Sequence, residues 1–242
     1  MKIILMLCVL MIAMPAFAGT FRDDFDDGDL DGWKFDVEGD HIEVKSGKVE
    51  TADCKIYAKD GEAIIMDYEA SIASGIDFNN GLEIRDFTLT VDGKMTEILD
   101  KSRTWDYIYV LGRCTDTVCA WSSLEARGNI PLVILTWAGG NLQNIARLDF
   151  AFPFELNRWY HIQVEMKGSK LSVSVDNKLI CSNDWVNQPI LPKKGYVSIG
   201  AGGAEVHFDN FVITGDDVPD NSISVESKGK LTTTWGEIRR GK

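Results

Sequence analysis

The fold is decided by the stretch WYHIQVEMKGSKLSVSV, which covers residues 159–175. Apolar side chains occupy every second position in both of its arms, namely Ile162, Val164 and Met166 in the first and Leu171, Val173 and Val175 in the second. Residues 167–170 between the arms include a glycine and predict a hairpin turn. A period of two places one face of each strand in a core and the other face in water, which is typical of antiparallel sheets.

Segments with the same strand character recur along the chain and are separated by turn residues. They cover residues 40–44, 72–78, 87–91, 105–113, 131–137, 146–154, 195–199 and 204–214. The pair Asp92-Gly93 directly follows one of these segments and predicts a reverse turn. Because the sequence shows no long amphipathic helical pattern and no internal repeat, we predict an all-β, two-sheet antiparallel sandwich.

Two segments near the ends of this domain share an acidic and aromatic character. Residues 23–33 read DDFDDGDLDGW, and residues 206–211 read VHFDNF. Since only strand-like sequence lies between them, we expect these segments to mark the first and last strands of one domain. The two strands are therefore predicted to lie side by side.

The first eighteen residues have the pattern of a secretory signal peptide. Lys2 is followed by an apolar run and then by Pro15-Ala16-Phe17-Ala18, which is an A-x-A-type cleavage site. The apolar run is too short for a stable membrane span. We therefore predict a signal peptide at 1–18, a β-sandwich at 19–215 and a polar linker with a tail at 216–242. The protein is expected to be exported, to the periplasm or the extracellular space.

The acidic charge restricts the classes of partner. The chain has a formal net charge of −12, and loss of Lys2 with the signal peptide would make it −13. Nucleic acids and anionic membranes require a basic surface, so neither is an expected partner. The tail at 216–242 ends in a short apolar segment around Trp235, which leaves two interpretations, a disordered terminus or a docking element for a protein partner.

Four cysteines follow the signal peptide, at Cys54, Cys114, Cys119 and Cys181. In an exported protein this number favours two disulfides, with three possible pairings. The short spacing of Cys114 and Cys119 suits a bridge across a hairpin tip, and that pairing leaves Cys54 with Cys181. A zinc site is disfavoured because neither Cys-x-x-Cys nor His-x₃₋₅-His spacing occurs.

Several motifs at the two ends of the domain can be compared with known families. They are Phe25-x-Asp27-Gly28, Gly32-Trp33, the strand at 159–166, Val173-x-Val175-Asp176-Asn177 and Phe208-Asp209-Asn210-Phe211. Together they resemble the concanavalin A-like jelly-roll superfamily, and most closely its laminin-G-like domains and the bacterial 3-keto-disaccharide hydrolase-type domain. The resemblance implies a two-sheet jelly-roll sandwich with a face that binds carbohydrate.

The resemblance also implies a structural Ca²⁺ between the first and last strands, with Asp24 and Asp209 as ligands assisted by backbone carbonyls. An EF-hand-type loop is a second interpretation, because the required residue types stand at its positions 1, 3, 5, 6 and 12, namely Asp27, Asp29, Asp31, Gly32 and Glu38. Against it, Lys34 stands where an apolar residue is usual and neither flank looks helical. A solvated acidic turn without metal is the third interpretation.

Aromatic residues alternate with aliphatic ones at 105–110. If this segment is a strand, its three aromatic rings share one face while Ile108 and Val110 point into the core. Aromatic rings stack on the apolar faces of sugars, so we predict a carbohydrate-binding face that comprises Trp105, Tyr107, Tyr109, Arg113, Trp121 and Trp137. The alternative is that the aromatic rings form the core and the aliphatic residues lie under a loop.

The sequence shows no carboxylate pair with the spacing of a retaining glycosidase. Glu83 and Asp86 lie three residues apart, as do Glu97 and Asp100, and such positions point to opposite faces of a strand. No Gly-x-Ser-x-Gly motif is present. We therefore predict an exported, lectin-like carbohydrate-binding module without catalytic residues. The alternatives are a protein-interaction module and a 3-keto-disaccharide-type glycoside hydrolase. The hydrolase requires that two or more of six carboxylates converge, namely Glu83, Asp86, Glu97, Asp100, Asp106 and Glu125.

Overall fold

In the described part of the chain, the regular secondary structure is almost entirely β-strand. A computed structural model describes residues 18–37, 40–42, 48–68, 74–102, 106–115, 118–126, 133–138, 141–147, 153–184 and 192–220. The strands are β1 (Gly19–Asp23), β2 (Lys34–Val37), β3 (Asp40–Ile42), β4 (Lys48–Glu50), β5 (Cys54–Lys59), β6 (Glu62–Asp67), β7 (Ser74–Asp77), β8 (Phe87–Ile98), β9 (Tyr107–Cys114), β10 (Val118–Glu125), β11 (Val133–Ala138), β12 (Asn141–Arg147), β13 (Tyr160–Lys167), β14 (Lys170–Val175), β15 (Lys178–Asp184), β16 (Tyr196–Gly202) and β17 (Ala204–Gly215). A short 3₁₀ turn at Phe78–Gly81 follows β7.

The strands form two antiparallel sheets that enclose one main core. Among the described residues, sheet A has nine strands in the order β15-β14-β13-β8-β17-β6-β5-β4, with β1 added beside β17. Sheet B has, in the same part of the chain, eight strands in the order β12-β11-β10-β9-β16-β7-β2-β3. The main cluster of buried apolar side chains draws on both sheets, for example through Val164 of β13 and Ile199 of β16. The predicted two-sheet jelly-roll sandwich is therefore confirmed.

The hairpin at 159–175 has the predicted pairing. Val164 lies opposite Val173 across β13 and β14, and Met166 lies opposite Leu171. Burial alternates strictly along both strands, so that the apolar residues enter the core and the polar residues between them face outward. Burial of each such side chain stabilises the fold by about 1.5–3 kcal/mol, which fixes the register of the hairpin.

The first and last strands are neighbours, as predicted. Strand β1 pairs with the second half of β17, from Gly19 opposite Gly215 to Asp23 opposite Phe211. The two halves of β17 are separated at Asn210, which has a φ of +52° and lies where the register with β8 shifts. After this irregularity Phe211 packs against Trp33, with ring centroids 4.8 Å apart.

The acidic run between β1 and β2 is a series of tight turns. The side chains of Asp24, Asp27 and Asp29 each accept a hydrogen bond from the backbone amide two residues further on, at 3.2, 3.3 and 2.9 Å. Aspartate favours such turns because its short carboxylate reaches its own backbone. The run is flanked by strands and not by the helices that an EF-hand needs, and Glu38 lies outside the described residues.

One predicted turn is wrong. Asp92 and Gly93 lie within β8, which continues from Phe87 to Ile98 and pairs with β13 on one side and β17 on the other. Pairing on both edges overrides the local turn preference of Asp-Gly. Gly93 is tolerated there because its position faces the side-chain ends of Ile108 and Ile162 in the core.

No helix in the described part of the chain has the length and hydropathy needed to cross a membrane.

Candidate functional site

The outer face of sheet B, which is turned away from the main core, carries the aromatic residues of β9. Ile108 and Val110 belong to the main core and are 1 % and 2 % exposed. Tyr109 and Leu111 belong instead to a second cluster, together with Trp121 of β10. The alternation predicted for this strand is therefore confirmed, and the alternative that places its aromatic rings in the main core is wrong.

Glycines on the neighbouring strands give these rings their room. Tyr109 lies opposite Gly200 of β16, which in turn lies opposite Gly75 of β7, and Tyr107 lies opposite Gly202. A Cβ atom at any of the three glycines would overlap a tyrosine ring or hydroxyl. Because no side chain rises from β16 or β7 at these positions, the tyrosine rings lie across the backbone of the adjacent strands. We call this surface the glycine floor.

The rings of Tyr107, Tyr109 and Trp121 form one aromatic cluster. The centroid of Trp121 lies 5.3 Å from that of Tyr107 and 5.2 Å from that of Tyr109, in edge-on and tilted arrangements that are favourable for aromatic pairs. Tyr109 is 1 % exposed and Trp121 is 9 % exposed, whereas Tyr107 is half-buried. Both rings are therefore covered in this structure, and direct stacking of a ligand on Tyr109 and Trp121 stays a prediction. In this structure these two rings support Tyr107, which reaches the surface.

Arg113 does not belong to this face. Its backbone has a φ of +49°, and its guanidinium points away from the aromatic cluster. The Nε atom donates to the carbonyl of Arg85 at 2.5 Å, Nη1 donates to the carbonyl of Gly168 at 2.6 Å, and Nη2 donates to the carboxylate of Asp86 at 2.7 Å. With its side chain only 6 % exposed, Arg113 ties the end of β9 to sheet A. Alternation did not reveal the left-handed residue at this position, and a part for Arg113 in binding carbohydrate stays a prediction.

The two remaining aromatic candidates are only partly placed. Trp105 lies outside the described residues. Trp137 lies in β11 and pairs in register with Cys119 of β10, two residues from Trp121. Their part in a binding face stays a prediction.

Three of the six acidic residues considered for catalysis have their backbones near the Tyr107 end of β9. Glu125 of β10 lies opposite Tyr107, and the amide of the residue after Glu125 donates to the carbonyl of Asp106 at 3.2 Å. The amide of Asp100 donates at 3.1 Å to the carbonyl of Gly203, which follows the β16 partner of Tyr107. Asp106 is 0 % exposed and Asp100 is 9 % exposed. The backbone therefore brings the three residues to one end of β9, but Glu125 shares a face with Tyr107, whereas the buried Asp106 is one residue out of that register.

The other three carboxylates lie elsewhere. Glu83 forms an ion pair with Lys194 at 2.5 Å, and Asp86 pairs with Arg113. Glu97 lies in β8 of sheet A, opposite Glu205. None of these three contributes to the group at the Tyr107 end.

A disulfide closes the β9–β10 hairpin beside the aromatic cluster. Cys114 and Cys119 are bonded to each other, as predicted. The predicted bond between Cys54 and Cys181 is wrong, because both are buried free thiols. Five strands separate β5 from β15 in sheet A, so at about 4.8 Å per strand these cysteines lie roughly 29 Å apart, beyond the reach of a disulfide.

The carboxylates expected to hold calcium lie near each other but do not form a ready cage. Burial raises the pKa of Asp209, and the nearby carboxylates of Asp92, Asp24 and Glu62 raise it further. A cation would relieve this repulsion. In the stretches for which the structure gives side chains, however, no group of three His, Cys, Asp or Glu is arranged to hold a metal ion. Calcium at Asp24 and Asp209 stays a prediction.

The outer face of sheet A carries a polar network that the sequence did not reveal. His207 of β17 lies between two carboxylates, with Nδ1 bonded to Glu62 and Nε2 bonded to Glu205 at 2.7 Å. Trp159, which served in the sequence only as a marker of the fold, is 37 % exposed beside this network. Alternation along β13 and β17 placed these residues on an outer face. It did not show which strands are neighbours.

Comparisons with known proteins agree with this architecture. Residues 20–214 match the family described as the 3-keto-alpha-glucoside-1,2-lyase-like domain. Among proteins with curated descriptions, none matches the sequence significantly.

Two similar solved structures illustrate the fold. The catalytic domain of an endo-1,3-beta-glucanase (laminarinase) from Thermotoga petrophila RKU-1 has a TM-score of 0.52 and 11 % identity, with 80 % of this chain and 96 % of that chain covered. A beta-1,3-1,4-glucanase (lichenase) derived from a mouse hindgut metagenome has a TM-score of 0.54 and 9 % identity, with 83 % and 100 % covered. At these identities the likeness establishes the fold alone.

Proposed function

Because this chain belongs to the 3-keto-alpha-glucoside-1,2-lyase-like domain family, we propose that it is a carbohydrate-binding domain whose sugar ring stacks on Tyr107 at the outer face of sheet B. Membership places it among carbohydrate-binding or glycoside-hydrolase-like jelly-roll domains. The finer assignment to a lectin-like module that binds without cleaving is our proposal.

The supporting observation is the way in which Tyr107 is held. Its ring lies over Gly202 on one side and meets the edge of Trp121 at 74° and 5.3 Å. A ring fixed by its neighbours loses little conformational entropy when a ligand binds, so more of the stacking energy contributes to affinity. Glu125, on the strand opposite Tyr107, is close enough in register to accept hydrogen bonds from sugar hydroxyls.

Calorimetric titration tests this proposal. The probes are methyl 3-keto-α-glucoside and neutral tetrasaccharides of glucose, galactose, mannose and xylose. We expect Tyr107→Ala to weaken binding about tenfold, since an aromatic contact contributes up to about 1.5 kcal/mol, and Tyr107→Phe to bind nearly as well as the parent. Tyr57→Ala, in β5 of sheet A, is the matched control. Unchanged affinity in Tyr107→Ala contradicts the proposal.

Cleavage of a glycosidic bond is a second candidate function, and the observation in its favour is that the backbone brings Asp100, Asp106 and Glu125 to one end of β9. Chromatographic detection of products from methyl 3-keto-α-glucoside decides between the functions. If cleavage occurs and is lost in both Glu125→Gln and Asp106→Asn, the domain is an enzyme. If no product forms, binding alone remains.

Export is also part of the proposal. The Cys114–Cys119 bond supports it, because structural disulfides persist in oxidising compartments outside the cytosol. The signal peptide at 1–18 lies almost wholly outside the described residues, as does the tail beyond Asp220. Docking of a protein partner through that tail therefore stays a separate prediction, which deletion of 221–242 would test by loss of partner capture.

A further inference from the structure

A tryptophan and a histidine stand next to each other on the outer face of sheet A, on the opposite side of the sandwich from Tyr107. Trp159 directly precedes β13, and His161 is the second residue of that strand. Two residues along a strand span about 6.6 Å and share a face. Trp159 is 37 % exposed, and the His161 side chain is 39 % exposed. Both side chains therefore reach solvent side by side.

The imidazole of His161 is oriented by a chain of hydrogen bonds. Its Nδ1 atom lies 2.7 Å from Oδ1 of Asp92, and the other carboxylate oxygen of Asp92 accepts a hydrogen bond from Nδ2 of Asn210 at 3.0 Å. The backbone amide of His161 donates to Asp176 at 3.1 Å. Because an ionised carboxylate can only accept, the proton of the neutral imidazole resides on Nδ1. The Nε2 atom is thereby prepared to accept a hydrogen bond from a hydroxyl group.

The indole of Trp159 is also held in place from within the protein. The Nζ atom of Lys94 lies 4.2 Å from the ring centroid and 3.2 Å from a carboxylate oxygen of Glu62. Glu62 is fixed in turn by His207 of the next strand. An ammonium group over one part of the ring restrains the indole through a cation–π interaction, so the exposed part of Trp159 is presented in a defined orientation.

From this arrangement we infer that the outer face of sheet A carries a second carbohydrate-binding site, in which a neutral sugar ring stacks on Trp159 and donates a hydroxyl hydrogen bond to Nε2 of His161. A rigid exposed indole beside an oriented acceptor matches the apolar face and the hydroxyl rim of a pyranose. The surrounding carboxylates of Asp92, Glu62 and Asp209 disfavour anionic sugars such as uronates. This site is separate from Tyr107, because Tyr107 lies in sheet B whereas Trp159 directly precedes β13 of sheet A.

The test follows the indole Nε1–H signal of Trp159 by nuclear magnetic resonance during titration with neutral tetrasaccharides of glucose, galactose, mannose and xylose. At least one probe is expected to shift this signal saturably, and tetragalacturonate is expected to leave it in place. Trp159→Ala and His161→Ala should each raise the dissociation constant for that probe at this site about tenfold. For the variant that lacks Trp159, calorimetry gives this constant in a Tyr107→Ala background, which weakens binding at the other site.

Two controls separate this site from a structural role and from the site on sheet B. Leu179→Ala, at a side chain that is 60 % exposed on β15, should leave the dissociation constant unchanged, and thermal melting shows whether each variant is folded. Tyr107→Ala should leave the Trp159 shift intact even if it abolishes binding on sheet B. The inference is overturned if no neutral probe shifts the Trp159 signal, if tetragalacturonate shifts it equally, or if folded Trp159→Ala and His161→Ala retain the parent affinity at this site.

Discussion

The two outer faces of the sandwich are built by different chemistry. On sheet B, large aromatic rings of β9 and β10 lie over strands from which side chains have been removed, at Gly75, Gly200 and Gly202. On sheet A, polar side chains stand on adjacent strands and are fixed by hydrogen bonds, as His207 is between Glu62 and Glu205. The rings on sheet B are held by close packing over glycines, and the side chains on sheet A are held by hydrogen bonds to carboxylates. Each face presents one restrained aromatic residue, Tyr107 on sheet B and Trp159 on sheet A. Different substitutions should therefore disturb the two faces.

The largest effect is expected from filling the glycine floor. A Cβ atom at position 200 would overlap the Tyr109 hydroxyl and the backbone carbonyl of Ser74, which cannot move without shifting β7. We expect Gly200→Val to destabilise the domain by about 3 kcal/mol or more. Gly93→Ala is the matched control, since its Cβ would meet only flexible isoleucine ends at 3.3 Å. Urea denaturation measures both, and equal stability of the two variants would show that the floor does not hold the rings.

The next largest effect is expected at His207. Burial raises the pKa of Glu62, but hydrogen bonds from His207 and Lys94 outweigh it and hold the pKa below its usual value. His207→Ala leaves two carboxylates without this donor, and we expect a loss of about 2 kcal/mol at pH 7, less than the roughly 3–5 kcal/mol of fully buried pairs. Chemical denaturation of His207→Ala, of Glu62→Gln or Glu205→Gln, and of each double variant completes a double-mutant cycle. A coupling energy of zero would contradict the claim that hydrogen bonds between His207 and these carboxylates stabilise sheet A.

The same residue gives a pH dependence with a defined sign. A carboxyl group whose pKa is lowered by folding stabilises the protein above its unfolded-state pKa, and this contribution disappears as the pH falls through the folded-state pKa. The stability difference between wild type and His207→Ala should therefore shrink below about pH 4. A difference that stays constant from pH 7 to pH 3 would exclude the Glu62 pairing as its source.

Loss of the disulfide is expected to destabilise the β9–β10 hairpin of sheet B. Cys114→Ala with Cys119→Ala opens a very short loop, for which the chain-entropy relation gives about 2 kcal/mol. Thermal melting checks this loss, and Trp121 fluorescence checks whether the aromatic cluster loosens.

Burial raises the pKa of Cys54 and of Cys181, so neither should react with Ellman's reagent until the protein unfolds. Rapid reaction of either thiol in the native state would contradict their placement in the core.

The smallest effect is expected at Asp209. Its raised pKa means that the ionised group costs stability at neutral pH and that this cost disappears as the pH falls through its folded-state value. In EDTA, Asp209→Asn should therefore be slightly more stable at pH 7, by about 0.5 kcal/mol after solvent screening.

The stability difference between Asp209→Asn and the wild type changes sign if calcium binds. Added Ca²⁺ would raise the melting temperature of the wild type by mass action, and that of Asp209→Asn by less. Differential scanning calorimetry with EDTA and with Ca²⁺ distinguishes the two cases. An unchanged wild-type melting temperature in Ca²⁺ excludes the predicted ion.

The sequence predicted those features that depend on local periodicity. Alternation gave the sandwich, the hairpin at 159–175 and the assignment of Ile108 and Val110 to the core. It failed where the outcome depends on which strands are neighbours. Cys54 and Cys181 both lie in sheet A, but the order of strands keeps them apart. The short spacing of Cys114 and Cys119 required no such knowledge.

The candidate site shows the same division. Tyr107 and Tyr109 share a face, as the period of two requires, but the glycines against which Tyr109 packs, Gly75 and Gly200, lie 34 and 91 residues away in sequence. Arg113 leaves the face through a single left-handed residue, which no alternation reveals. Trp159 and His161 acquire partners from β8 and β17, and these partners were not predictable from β13 alone.

The most direct test of the central claim is amide and indole chemical-shift mapping of the domain saturated with methyl 3-keto-α-glucoside or with the best-bound tetrasaccharide. We predict that a group of perturbed signals lies on β9 and β10, at Tyr107, Trp121 and Glu125, and that Tyr107→Ala raises the ligand concentration needed to saturate that group about tenfold. If the ligands bind without perturbing these residues, or if none of them binds, the assignment of a carbohydrate-binding face to sheet B is contradicted.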